Sequence, residues 1–168
     1  VNPQSSADYK LLFSKIPNLS KLAGVIYLWG YQAKVAVAHG LKEYHKKTCE
    51  GLVSIANQLA FQELPKTARL WVVTESVCSD GNDKSLADWP LNGLCKIVRE
   101  EYPALHCTYL AMDSKVSVVE ACDAMFRELT STSQETEIAY QNSNRIVPRM
   151  VRGTITEIKM PHFSPDST

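Results

Sequence analysis

The sequence predicts an α/β fold: a mostly parallel sheet flanked by helices and ending in a β-hairpin. Three observations carry this. Runs rich in branched and aromatic residues, at 23–29, 69–74 and 105–112, alternate with longer segments of helical spacing. Continuous apolar runs of strand length mark strands buried on both faces of a parallel sheet. The chain then closes on two short runs, 137–140 and 145–151, around Gln141-Asn142-Ser143-Asn144, a composition suited to a hairpin tip. Strands joined through helices imply right-handed crossovers.

The elements follow in order. Residues 7–15 form a short helix with Tyr9, Leu12, Phe13 and Ile16 at helical spacing, stopped by Pro17 and Asn18. Residues 23–29 (AGVIYLW) are the first strand. Residues 40–62 form a long helix with Leu41, Tyr44, Cys49, Leu52, Ile55, Ala56 and Leu59 near one stripe, ended by Pro65. The second strand is 69–74 (RLWVVT). Residues 79–84 (SDGNDK) are a loop by composition. Residues 86–101 return to helical spacing with Leu91, Leu94, Cys95 and Val98, and Trp89 opens that helix as a core side chain. The third strand ends at Asp113. The next helix, 116–129, turns Val119, Cys122, Met125, Phe126 and Leu129 to one side. Residues 153–168, with Pro161 and Pro165, form a linker.

Bulk properties exclude several function classes. The length of 168 residues suits one domain, and 45% hydrophobic residues can fill a core. Lys plus Arg and Asp plus Glu each number 18, so the basic excess of a nucleic-acid binder is missing. The cluster at 42–47 is interrupted by Glu43, Tyr44 and His45 and suits a solvated helix face. Five cysteines, none in C-x-x-C spacing, suggest reduced thiols in a cytoplasmic protein, not a disulfide or zinc framework. No apolar run approaches the ~18 residues of a membrane span.

A search for chemistry finds little. The seven glycines are too far apart for G-x-G-x-x-G, and no P-loop or G-x-S-x-G is present. A short-chain-type reductase needs a Tyr acid and a Lys four residues on. Tyr44 is followed by Lys46 and Lys47, and Tyr31 by Lys34; neither has that spacing. Tyr140 and Asn144 are four apart but straddle the expected turn. His39, His45, His106 and His162 offer no metal-ligand spacing; His106 begins a strand. Cys78 follows a strand in a loop, without an assignable base. Trp29, Trp71 and Trp89 suit core packing.

Several segments, in one order, resemble a known family. They are AGVIYLWG, ARLWVVTES, ADWPLNGLCKIVREEYPALHCTYLAMD and EIAYQNSNRIVPRMVRG. This is similar to the structural subdomain of ketoreductases from modular type I polyketide synthases. Trp89, Leu91, Gly93, Leu94, Glu101, Pro103, Asp113 and Val147-Pro148-Arg149-Met150-Val151-Arg152 fall on the family pattern, and Ala7-Asp8-Tyr9-Lys10 resembles its helix start. Pro90 and Leu91 follow Trp89 where the family has Gly, and Lys96 replaces the usual Arg.

The resemblance implies a truncated Rossmann-like subdomain over 1–152, lacking its first strands, and a linker over 153–168 towards a catalytic subdomain. It implies no catalytic, cofactor-binding or metal residue in this chain. NADPH belongs to the neighbouring catalytic subdomain of the same polypeptide, which is the expected partner. The acyl-carrier-protein-bound substrate is met only indirectly, and neither nucleic acid nor membrane is a partner. Without its first strands the sheet leaves 23–29 as an open edge, which pairs with another copy or with a companion segment. A second reading is a free-standing α/β small-molecule-binding module or enzyme. Its ligand would sit at the carboxyl ends of the strands, near Gly30, Thr74-Glu75 and Asp113. A glycine-rich strand-turn-helix encoded directly after Thr168 supports the first reading; a stop codon there supports the second.

Overall fold

The computed structural model describes residues 1–31, 37–75 and 83–153, with the side chains of 37–39 and 83–86 excepted. The expected α/β architecture is present. Five strands lie in the order β1-β2-β3-β4-β5: β1 Gly24–Gly30, β2 Arg69–Thr74, β3 Thr108–Ala111, β4 Glu137–Gln141 and β5 Asn144–Ile146. The first four are parallel, and β4 and β5 form an antiparallel hairpin. The helices are α1 Ser6–Ser14, α2 Val37–His45, α3 Gly51–Ala60, α4 Asp83–Glu101 and α5 Val118–Thr130. The fold is Rossmann-like.

The two faces of the sheet are covered unequally. On one, Leu70, Val72, Tyr109 and Ala111 pack beneath α1, α3 and α4 through Tyr9, Phe13, Leu52, Ile55, Leu59, Leu91, Cys95 and Val98. On the other, Trp71, Val73, Leu110, Ile138 and Tyr140 pack against α5, the one helix on that face among the described residues, through Ala121 and Ala124. The strands advance one way across the sheet, yet α5 lies on the face opposite α3 and α4. The crossover through α5 therefore has the opposite hand to the two before it. This corrects the expectation that all share one hand, which holds for most such connections.

Other boundaries also differ. The long helix is α2, a π-helical turn at Lys46–Glu50, then α3. The Thr48 hydroxyl donates back to the Tyr44 carbonyl at 2.8 Å, and the Tyr27 hydroxyl donates to the Thr48 carbonyl at 2.7 Å. These bonds occupy carbonyls that a widened turn leaves under-used. α4 starts at Asp83, inside the expected loop, and runs through Pro90; the rest of that loop, 79–82, lies outside the described residues. His106 does not begin a strand. It ends a 3₁₀ turn, Pro103–Leu105, in the left-handed region at φ 42°. The second hairpin strand stops at Ile146. Its turn is as expected: Asn142 and Ser143 both take positive φ. The expected linker lies almost wholly outside the described residues.

Three burial expectations fail. β1 is buried on one face only: Tyr27 packs inward, while Ile26 and Leu28 on the α5 face are 41% and 48% exposed. Trp89 is not a core residue; it is 55% exposed, whereas Trp71 is 5% exposed. In α5 the residues pressed on the sheet are Ala121, Ala124 and Glu128. Val119, Cys122 and Phe126 are exposed, with Met125 and Leu129 packed at the margin. Small side chains let the helix sit close over the large Trp71 and Tyr140.

Gly51 marks a tight junction. A Cβ there would fall on the Tyr27 hydroxyl and 3.0 Å from Pro3 Cβ. Alanine adds ~1 kcal/mol of helix propensity, but it displaces a buried hydroxyl from its carbonyl, at a cost of about 1–3 kcal/mol. Gly51→Ala is expected to lower stability in urea titration, and to become neutral or stabilising on a Tyr27→Phe background. A gain in the otherwise unchanged chain would show that the contact does not constrain the helix.

Candidate functional site

The carboxyl ends of the parallel strands are where a doubly wound fold holds a ligand. Here the described residues pack into one another. Gly30 ends β1, and a Cβ on it would lie 2.9 Å from Thr74 Cγ2 and 3.1 Å from Leu91 Cδ2. Its missing side chain admits these neighbouring side chains. Thr74 is buried, with Oγ1 3.0 Å from the Tyr109 hydroxyl. Asp113 is buried too, and its carboxylate accepts from the Lys115 and Asn142 amides, both at 2.9 Å. It ties the end of β3 to the hairpin turn.

The residues weighed for acid–base chemistry have structural partners. Tyr44 is buried and donates to the Asp88 carboxylate. Burial first, and that bond second, push its phenol far up from the usual range. The adjacent His45 Nε2 lies 2.8 Å from the Ala87 carbonyl. Lys46 and Lys47 are exposed, as expected of that cluster, and the Lys47 ammonium lies 4.6 Å from the centre of the Trp29 ring. Tyr140 donates to Glu128 at 2.6 Å, and burial followed by this carboxylate pushes its phenol up to about 12. Asn144 sits across the hairpin, paired with Gln141. Lys34, Cys78 and His162 lie outside the described residues, as does the side chain of His39.

Among the described residues no group of His, Cys, Asp and Glu is placed to hold a metal ion. Cys49, Cys95, Cys107 and Cys122 are free thiols. Cys95 and Cys107 are both fully buried and hydrogen-bonded to each other: the bond, then burial, raise the Cys95 thiol and the same bond lowers that of Cys107. No helix among the described residues is long and apolar enough to cross a membrane.

What the surface does carry is apolar side chains at helical spacing. On α4, Trp89, Gly93 and Ile97 lie at i, i+4 and i+8 and are all exposed. Nothing lies within 4 Å of a Cβ built on Gly93. A bulky side chain, a flat position and a second bulky side chain make a stripe that another helix can approach closely. Sequence reasoning missed it by assigning Trp89 to the core. The signal was present: with Leu91, Cys95 and Val98 inward, Trp89 falls on the opposite side of the helix.

No family model and no curated protein matches the chain. Among solved structures it is similar to the adenylation, ketoreductase and pseudo-Asub multidomain structure of a keto acid-selecting NRPS module. The TM-score is 0.69 at 20% identity over 85% of this chain. The chain spans 12% of the length of that neighbour. At this identity the likeness shows the fold.

Proposed function

We propose that the chain is a non-catalytic structural subdomain supporting the NADPH-dependent ketoreductase of a polyketide synthase module. The observation that carries this reading is the exposed stripe Trp89-Gly93-Ile97 on α4, the helix that holds the family-like tryptophan; in this reading the stripe docks on the catalytic partner. Three further points support it. The motif order resembles that subdomain. The solved neighbour of the same fold is a multidomain structure that includes a ketoreductase. Among the described residues at the strand ends, Gly30 is packed against Thr74 and Leu91, Thr74 is hydrogen-bonded to Tyr109, and Asp113 accepts from the Lys115 and Asn142 backbone amides. In this reading the catalytic partner is part of the same cytoplasmic polypeptide and holds NADPH, the glycine-rich turn, the Tyr acid and the Lys that lowers its proton affinity. The present chain positions that partner and touches carrier-bound substrate only through it.

The test is reduction of a β-ketoacyl thioester by the complete parent polypeptide. A Trp89→Ser, Ile97→Lys variant removes the stripe without touching the core. It should fold as an isolated chain with little loss of melting temperature, yet cut NADPH-dependent turnover in the parent by roughly tenfold or more, as loss of ~1.4 kcal/mol of docking implies. Unchanged turnover would overturn the docking assignment.

A further inference from the structure

The fold brings Cys95 and Cys107 together. Cys95 lies on the inward stripe of α4 with Leu91 and Val98, and Cys107 stands just before β3 on the sheet face shared with Tyr109 and Ala111. Both are 0% exposed and belong to one core cluster. The alignment of the two elements is fixed one helical turn beyond Cys95. There Arg99 donates from Nη1 to the Cys107 carbonyl at 3.4 Å and to the Thr136 carbonyl at 3.2 Å. The Arg99 guanidinium also meets Glu137 at 3.4 Å, and Lys96 meets the same carboxylate at 2.9 Å. α4 is thereby pinned across the starts of β3 and β4. In this arrangement the thiols share a hydrogen bond, with Cys95 donating to Cys107. The bond lowers the Cys107 thiol, burial works against it, and Arg99 adds to the lowering.

A small oxidant has a route towards the pair. An open groove of about 490 Å³, walled by Leu64, Tyr102, Leu105 and His106 among others, lies between the ends of α3 and α4. It reaches His106, the residue next to Cys107, which takes the left-handed conformation at φ 42°. Local opening of that turn uncovers Cys107 first. We propose that Cys95 and Cys107 form a peroxide-sensitive dithiol, which hydrogen peroxide converts into a disulfide tying α4 to the start of β3. The Cys107 thiolate attacks one peroxide oxygen, the O–O bond breaks, and a sulfenic acid forms while hydroxide leaves and takes up a proton. Cys95 sulfur then attacks the Cys107 sulfur. The S–S bond forms, and the sulfenic hydroxyl leaves as water with the Cys95 proton. Two thiols lose two electrons, and the peroxide is reduced to two waters. Because the sulfurs already share a hydrogen bond, the second step needs side-chain rotation alone. In a reducing compartment the resting state is the dithiol. The inference stands apart from the proposed function: it needs neither a longer polypeptide nor a docking partner.

Peptide mapping tests it. The folded chain is treated with hydrogen peroxide, blocked with N-ethylmaleimide in denaturant and digested with trypsin. Cleavage after Lys84, Lys96, Arg99 and Lys115 places Cys95 in peptide 85–96 and Cys107 in peptide 100–115. These two peptides should be recovered joined by a disulfide. The oxidised chain should melt roughly 5–10 °C higher, because residues 95–107 become a covalent loop, and dithiothreitol should reverse the shift. Cys122→Ser, at an exposed position, should leave link and shift unchanged. Cys107→Ala should abolish both. Since that change also trims the core, the unsubstituted chain is oxidised in parallel in concentrated urea, where the folded juxtaposition is lost and the link should lose its selectivity. Peptides 85–96 and 100–115 recovered alkylated once Cys122 is fully oxidised would overturn the proposal. So would sulfinic acid at Cys107 without a link, or a link that forms only in urea.

Discussion

Trp71→Ala is expected to destabilise the chain by about 3–5 kcal/mol, lowering its melting temperature by roughly 10 °C. Trp71 stands at the centre of the second core layer. It is bracketed in the sheet by Ile26 and Thr108 and covered by α5 through Ala121 and Ala124. The small alanines cannot expand into the space a missing indole leaves, so the cavity persists and its cost is not relieved. Trp89→Ala in the isolated chain should cost under about 1 kcal/mol, as for an exposed position. The pair is a direct comparison between one tryptophan used for folding and one left for association. Equal destabilisation by thermal melts would show that Trp89 is part of the core and that α4 is rotated from its described position.

The second large effect lies at the other end of the same layer. Glu128 is 3% exposed by side chain, on the face of α5 pressed against the sheet. Arg145 reaches over from β5 to hold it, with Nε 2.6 Å from one oxygen and Nη2 3.2 Å from the other. Tyr140 adds a third bond from β4. Arg145→Met would leave a carboxylate buried with a phenol as its one remaining partner in this network. Removing one member of a buried pair typically costs ~3–5 kcal/mol, mainly the uncompensated charge. Adding Glu128→Gln should recover much of that loss, because the charge is removed with its partner. If Arg145→Met alone is neutral in urea titration, Glu128 finds water or another cation, and the network does not fasten the hairpin to α5.

Strand positions were legible because they depend on local composition: AGVIYLW and RLWVVT could hardly be anything else, the 105–112 run marks β3 although its first residues end a 3₁₀ turn, and the hairpin turn declares itself through Asn142 and Ser143. Which side of each helix faces inward was less legible. In α5 the large apolar residues suggested the buried stripe, but close packing on Trp71 and Tyr140 demands small side chains there, so Ala121 and Ala124 take it. Glu128 was hidden for the same reason: its partner is 17 residues away on another element. The opposite hand of the α5 crossover leaves no mark in local sequence, since periodicity does not say which face of a sheet a helix will cover. At the candidate site, the glycine spacing already argued against a dinucleotide turn. What fills the space at Gly30 required coordinates, because Thr74 and Leu91 come from two other elements.

The central claim is that this chain supports a reductase without holding its cofactor. Calorimetric titration of NADPH into the isolated, folded chain tests it most directly. The account predicts only dilution heats up to millimolar cofactor. A saturable isotherm with Kd in the micromolar range, about −8 kcal/mol of binding, would contradict it and place a dinucleotide site within these 168 residues.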